Sequence, residues 1–189
     1  MPRVCDVARW AAANVESRGR EEVHNMESRP KEAIAVESWP YVGGMPPFLD
    51  DRVREATRVQ VRYWRLEAKP RELFADVYFG KGATGPPGHV HGGAMAALLD
   101  EVMALNHFVA GVPAVAASLS TQFEHMLPVE SAAVAHAWIA QMEGRRILAA
   151  AVLAESLADN AVVYSRAEAA YVELDEKRAA NLKSLGYEG

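Results

Sequence analysis

The chain is poor in cysteine, in net positive charge and in long apolar runs, and each shortage excludes something. Cys5 is the one cysteine in 189 residues, so no intrachain disulfide can form and the fold needs no oxidising compartment. Lysine and arginine number 20 against 25 acidic residues, a net charge of −5, which argues against the basic patch of a nucleic-acid interface. No apolar run reaches membrane-spanning length. Met1 to Asn14 carries Arg3, Asp6 and Arg9 among its apolar residues, unlike a secretory signal, so a cytoplasmic protein is the expectation. No Gly-x-Ser-x-Gly elbow exists, and Cys5 lies far from any candidate base, so a nucleophilic serine or cysteine is not supported.

Half of the residues are hydrophobic, which suits a globular chain with one sizeable core. Val4 to Val15 has an amphipathic helical pattern, followed by a charged stretch to Glu32. Trp39 to Phe48 holds three prolines and two glycines and reads as a loop. Residues 1–50 are therefore read as an appendage covering an edge or groove, and 51–189 as the main domain. In that domain Arg58 to Glu67 and Glu72 to Phe79 read as strands around a turn at Pro70. Four more are expected at Val112 to Phe123, Ala132 to Met142, Ile147 to Leu157 and Ala161 to Val172. Ala133 to Ala154 is alanine-rich enough for helix, but turn signals recur every ten to twelve residues, which favours strands. Glu176 to Leu185 reads as a terminal helix. The layout is α+β, with an antiparallel sheet wrapped around a central helix at about 92–108.

That helix follows the most informative stretch, Gly85-Pro-Pro-Gly-His-Val-His-Gly-Gly93. Pro86 and Pro87 lack amide protons, so helix cannot begin before about Gly92. Met95, Leu98, Leu99, Val102, Met103 and Leu105 recur at helical spacing and predict a buried face. Gly93, Ala96, Ala97, Asp100, Ala104 and His107 define another, small-residue face carrying a carboxylate and an imidazole. A small-residue face admits a ligand or a second backbone, and a carboxylate there is costly unless something uses or pairs it.

At these residues the chain resembles the hotdog-fold acyl-CoA thioesterases, including the phenylacetate-pathway enzymes and the human-type thioesterase superfamily members. His91-Gly92-Gly93 followed by Asp100-Glu101 is similar to their central helix. Ser118-Leu-Ser-Thr-Gln-Phe-Glu-His-Met-Leu-Pro-Val-Glu130 is similar to the strand that follows it. The resemblance covers about Ala56 to Leu174. It implies a hotdog fold, hydrolysis of an acyl-CoA or acyl-carrier thioester, no cofactor, and subunits paired as dimers or dimers of dimers. Asp100 occupies the catalytic carboxylate position, as general base or nucleophile, with Glu101 as fallback. Many relatives also carry a hydroxyl residue one turn after the acid or in the next strand; here these positions are Ala104 and Ala116. Asn106, His107, Ser118 and Ser120 are the substitutes to consider.

The residues themselves support parts of this chemistry. At a helix start the first amides are unpaired and the dipole is positive, which suits a developing oxyanion. Gly93, with Gly92, is the expected donor, and His91 either bonds the thioester or orients the loop. Lys81, Arg145 and Arg146 are the cations expected to meet an anionic CoA handle. Gly93 and Asp100 are separated by roughly 10 Å along one helix, so two antiparallel helices would serve the geometry better than one. His89-Val-His91 has no third ligand placed by the sequence, so no metal is expected. Gly80-Lys-Gly-Ala-Thr-Gly85 matches a dinucleotide fingerprint in letters only, because Pro86 and Pro87 stand where its helix should begin; it reads as a flexible loop over the site. Dehydratase chemistry would need a histidine acting with an acid in motifs that are absent. A non-catalytic thioester-binding or regulatory protein is the alternative reading.

Overall fold

The computed structural model describes residues 29–36 and 58–184. The helix expected at Val4 to Val15 and the loop at Trp39 to Phe48 lie outside the described residues. The strands are β1 (Ile34–Val36), β2 (Val59–Arg65), β3 (Glu72–Phe79), β4 (Ala114–Phe123), β5 (Ser131–Glu143), β6 (Arg146–Ala154) and β7 (Val163–Glu173). Helix α1 (Gly92–Val109) separates β3 from β4, and α2 (Glu176–Ser184) follows β7. The strands form one antiparallel sheet in the order β1-β2-β3-β5-β6-β7-β4. The chain thus leaves β3, crosses the sheet as α1, and returns at the far edge as β4. This is the hotdog fold expected from the sequence.

The alanine-rich stretch is extended, as its turns imply. Gly144, with φ of 55°, makes the tight connection from β5 to β6. Small side chains at Ala133, Ala135, Ala137, Ala149, Ala151, Ala167 and Ala169 face the core and let α1 lie close to the strands. Leu98, Leu99, Val102, Met103 and Leu105 are fully buried on α1, each worth about 1.5–3 kcal/mol of apolar burial. Trp64 and Phe74 stack with ring centroids 4.4 Å apart, and Phe74 stacks on His136 at 4.3 Å, in a smaller second cluster with Leu157.

One strand lacks a counterpart in the sequence reading. Val36 pairs with Tyr63 and Ile34 with Arg65, so β1 extends the sheet beyond β2. Three residues are too few to show a period of two, and only their partner strand identifies them.

Two registers matter for the site. Along β7, Ser165, Ala167, Ala169 and Tyr171 alternate with Arg166, Glu168 and Ala170; Ala167, Ala169 and Tyr171 pack in the core with α1. A bulge between Ala116 and Ser118 shifts the β4–β7 pairing. Ala116 therefore stands opposite Tyr171, Leu119 opposite Ala169, and Phe123 opposite Ser165, all on the helix side. Ser118 and Ser120 stand opposite Ala170 and Glu168, on the other face.

Candidate active site at the start of the central helix

The Gly/Pro-rich loop delivers His91 to the head of α1 through a dense set of backbone hydrogen bonds. The Gly85 amide donates to His89 O at 2.9 Å, His91 to Ala83 O at 2.8 Å, Val90 to Leu127 O at 2.8 Å and Val129 to Gly88 O at 3.1 Å. Gly88 holds a φ of 74°. A Cβ on Gly85 would lie 2.7 Å from His91 Cα, so only glycine fits there. These bonds tie the loop to the turn after β3 and to the β4–β5 connection. His89 is part of the same restraint, with Nδ1 donating to Pro87 O at 2.9 Å. Among the described residues no group of three or more His, Cys, Asp and Glu side chains is arranged to hold a metal.

His91 is the N-cap of α1, with φ −64° and ψ 131°. Its Nδ1 accepts the Gly93 amide hydrogen at 2.9 Å, the role that Ser, Asp or Asn more often fills. The Gly93 N–H, the expected oxyanion donor, thus already has an acceptor. Gly92 is the first helical residue, so its N–H has no acceptor inside the helix. With Nδ1 accepting, the neutral His91 ring carries its proton on Nε2, a second donor at the exposed helix head. A Cβ on Gly92 would lie 3.2 Å from the ring of Phe123. Phe123, 54% exposed at the end of β4, therefore stands over the helix start. The sequence reading overlooked it, since no spacing rule connects positions 92 and 123.

Asp100 lies two turns along α1 on the half-open side shared with Ala96, Ala97 and Ala104. Burial raises its pKa above the ordinary carboxylate value. Glu101 is buried, 7% exposed, and lacks the access that Asp100 has. His107 is fully buried, neither ring nitrogen has a hydrogen-bond partner, and burial pushes its pKa down to about 4. Its ring meets the edge of Tyr171 at a centroid distance of 4.2 Å. Asn106 is engaged elsewhere, with Nδ2 donating to Arg71 O at 2.9 Å.

The other expected site residues scatter. Lys81 sits near the helix head, in the short turn that also contains Ala83, and its Nζ is 3.5 Å from Glu130. Arg145 lies in the β5–β6 turn and Arg146 opens β6, at the end of the sheet beside the α1 C-terminus. The Glu173 amide bonds Arg145 O there and the Leu174 amide bonds Pro113 O. The Arg145 guanidinium donates to Glu173 O at 3.0 and 2.8 Å. Ser118 and Ser120 are exposed on the face away from α1, so they do not stand in for the missing hydroxyl in their own subunit.

A helix cradled by an antiparallel sheet, with a half-buried carboxylate on its open side and the Gly92 N–H at its head, defines a hotdog-fold protein. Residues 87–153 match the thioesterase superfamily, a span containing Gly92, Gly93 and Asp100. The human acyl-coenzyme A thioesterase THEM5 is 28% identical over 95 residues, covering 50% of this chain and 38% of that protein. The mouse acyl-coenzyme A thioesterase THEM4 is 28% identical over 116 residues, covering 61% of this chain and 48% of that one. The chain thus spans less than half the length of these curated relatives. A solved thioesterase superfamily protein shares the fold with a TM-score of 0.58 and 24% identity, over 91% of this chain and 81% of its own. The chain has the hotdog fold, and its residues 87–153 resemble the thioesterase superfamily. No helix among the described residues is long and apolar enough to cross a membrane.

Proposed function

We propose that this protein hydrolyses acyl thioesters, acyl-CoA foremost, at a site shared by two antiparallel copies of α1. The observation that carries the reading is Asp100: a carboxylate with a raised pKa on an otherwise small-residue, half-open helix side. The relatives named as acyl-coenzyme A thioesterases support the substrate class.

In the proposed reaction the thioester carbonyl oxygen sits at the helix head, against the Gly92 N–H and the His91 Nε2–H. Asp100 takes a proton from water, the water oxygen attacks the carbonyl carbon, and the resulting oxyanion is held by those donors. Collapse re-forms the carbonyl and expels the thiolate, which the proton on Asp100 can neutralise. Direct attack by the Asp100 carboxylate would instead break the C–S bond, expel the thiolate and form a mixed anhydride that water then opens to the acid and free Asp100.

Gly92 and Asp100 of one subunit lie about 12 Å apart at 1.5 Å rise per residue, too far to act on one carbonyl group. An antiparallel partner helix brings Gly92 of one copy to Asp100 of the other. Edge strand β4 suits such pairing: Val115, Leu119 and Phe123 are 48%, 41% and 54% exposed, a long apolar edge of the kind that single domains avoid. The same pairing carries the Arg146 turn of one copy toward the helix head of the other, where Lys81 is the local cation for a CoA phosphate.

The test is a panel of acyl-CoAs with detection of free thiol, run beside Asp100→Asn. Thiol release that vanishes in the variant supports the reading. Tight thioester binding with no release by either protein overturns it and leaves a binding protein, the alternative that Ala104 and Ala116 would favour.

A further inference from the structure

Phe123 sets an aromatic ring against the residue whose amide the proposed reaction uses. The end of the ring, Cζ with Cε1 and Cε2 on either side, lies 3.2, 3.4 and 3.6 Å from where a Cβ on Gly92 would stand. Glycine at 92 therefore lets the ring come down onto the helix head. Phe123 closes β4 on the helix side of the sheet, opposite Ser165. The ring is 54% exposed, so apolar area beside the head is open for contact. A carbonyl oxygen that accepts the Gly92 N–H sits about 2.9 Å from its nitrogen, so oxygen and ring are neighbours of one residue. The head has a second flank of different character. The His91 amide donates to Ala83 O at 2.8 Å, in the short turn that carries Lys81, whose side chain is 79% exposed. A thioester carbonyl likewise has two unlike substituents, an anionic thiol handle and an apolar acyl group. Complementarity directs the handle to the Lys81 flank and leaves the acyl group against Phe123.

We propose that Phe123 is a specificity-determining residue: its ring walls the space around the carbon next to the thioester carbonyl and selects acyl groups that are unbranched there. The carbonyl is constrained on its other sides. Its oxygen is held at the Gly92 N–H, its sulfur points to the Lys81 flank, and one face must stay open for water coming from Asp100. A second substituent on the neighbouring carbon then has to take space that the ring already fills. A straight chain has no such group and lies along the ring. One methyl group in an apolar pocket changes kcat/KM by about tenfold or more. The inference rests on the hydrolase reading and deepens it by naming the class of acyl group.

The experiment measures kcat/KM for hexanoyl-CoA and 2-methylhexanoyl-CoA in wild type, Phe123→Ala and Phe123→Trp, and repeats it with the N-acetylcysteamine thioesters of both acids. Wild type should favour the straight chain. Phe123→Ala should raise the branched-to-straight ratio by about tenfold or more, and Phe123→Trp, a larger wall, should lower it. The shifts should be the same in both thiol series, because only the acyl group meets the ring. Ratios that stay at the wild-type value in both variants overturn the proposal. So do equal losses on every substrate, the pattern of a ring that serves folding or subunit pairing; thermal midpoints and light scattering identify which. A shift that follows the thiol instead of the acyl group also overturns it, since the ring would then face the handle. If wild type releases thiol and Asp100→Asn does not while the ratios stay fixed, this inference alone fails. If wild type releases none, the hydrolase reading falls and this inference with it.

Discussion

His91 Nδ1 accepts the amide hydrogen of Gly93 at 2.9 Å, so one side chain both caps the central helix and takes up the donor that the motif offers to an oxyanion. The two functions separate by mutation. His91→Asn keeps a capping acceptor and removes the Nε2–H donor; His91→Ala removes both. Asparagine should leave stability near wild type while lowering kcat/KM. Alanine should lower kcat/KM and also cost about 0.5–2 kcal/mol of stability. Chemical denaturation and thiol-release kinetics on the two variants check this. Wild-type kinetics in His91→Asn would remove the imidazole from the oxyanion site.

Asp100→Asn should lower the rate by about a hundredfold to ten-thousandfold, the usual range for loss of a general base. It should not destabilise. Burial raises the folded pKa of Asp100 above its unfolded value of 3.8, so the folded state holds the proton more tightly than the unfolded one. Stability contributed by this group is present below pH 3.8 and is lost as pH rises through the raised folded value. The amide has no charge to desolvate, and its melting temperature at neutral pH should equal or exceed that of wild type. The acid limb of the wild-type rate profile should correspondingly lie above pH 3.8.

Gly92→Pro tests the helix-head amide with little disturbance of the fold. Proline suits the first helical position, and His91 already has the extended backbone that a residue before proline prefers. The added ring meets Phe123, an exposed side chain able to move. The variant should fold and be inactive. Mixed with inactive Asp100→Asn subunits, it should recover up to one working site per heterodimer. No recovery in verified heterodimers would place both groups of each site in one subunit.

His107 should leave a mark on acid stability. Its folded pKa is about 4 against 6.5 unfolded, so between those values the unfolded chain binds a proton that the folded chain does not. Stability therefore declines as pH falls from about 6.5 to 4 and levels off below. A shift of this size corresponds to on the order of 3 kcal/mol. His107→Phe should flatten the decline in urea midpoints over that window. An unchanged slope would show that other groups set the acid limit.

The sequence by itself determined the central helix and most of the sheet. Periodicity at Met95 through Leu105 could only be a buried helix, and Pro86 and Pro87 fixed where it begins. β3 was legible residue for residue because Pro70 and the Gly80 loop bound it. The turns around Gly144 and Asp159 kept the alanine-rich strands from being read as helix. Asp100 was legible as an acid on a small-residue face. Tertiary structure decided the rest, because it concerns which atoms meet across long separations in the chain. The occupancy of the Gly93 amide depends on how the tied loop aims the His91 ring. The faces of Ser118 and Ala116 depend on a one-residue bulge that reverses side-chain alternation. β1 exists as a strand only through its pairing with β2. Tyr171 looks in sequence like any core aromatic among alanines, and only the packing of β7 on α1 leaves its hydroxyl buried without a hydrogen-bond partner.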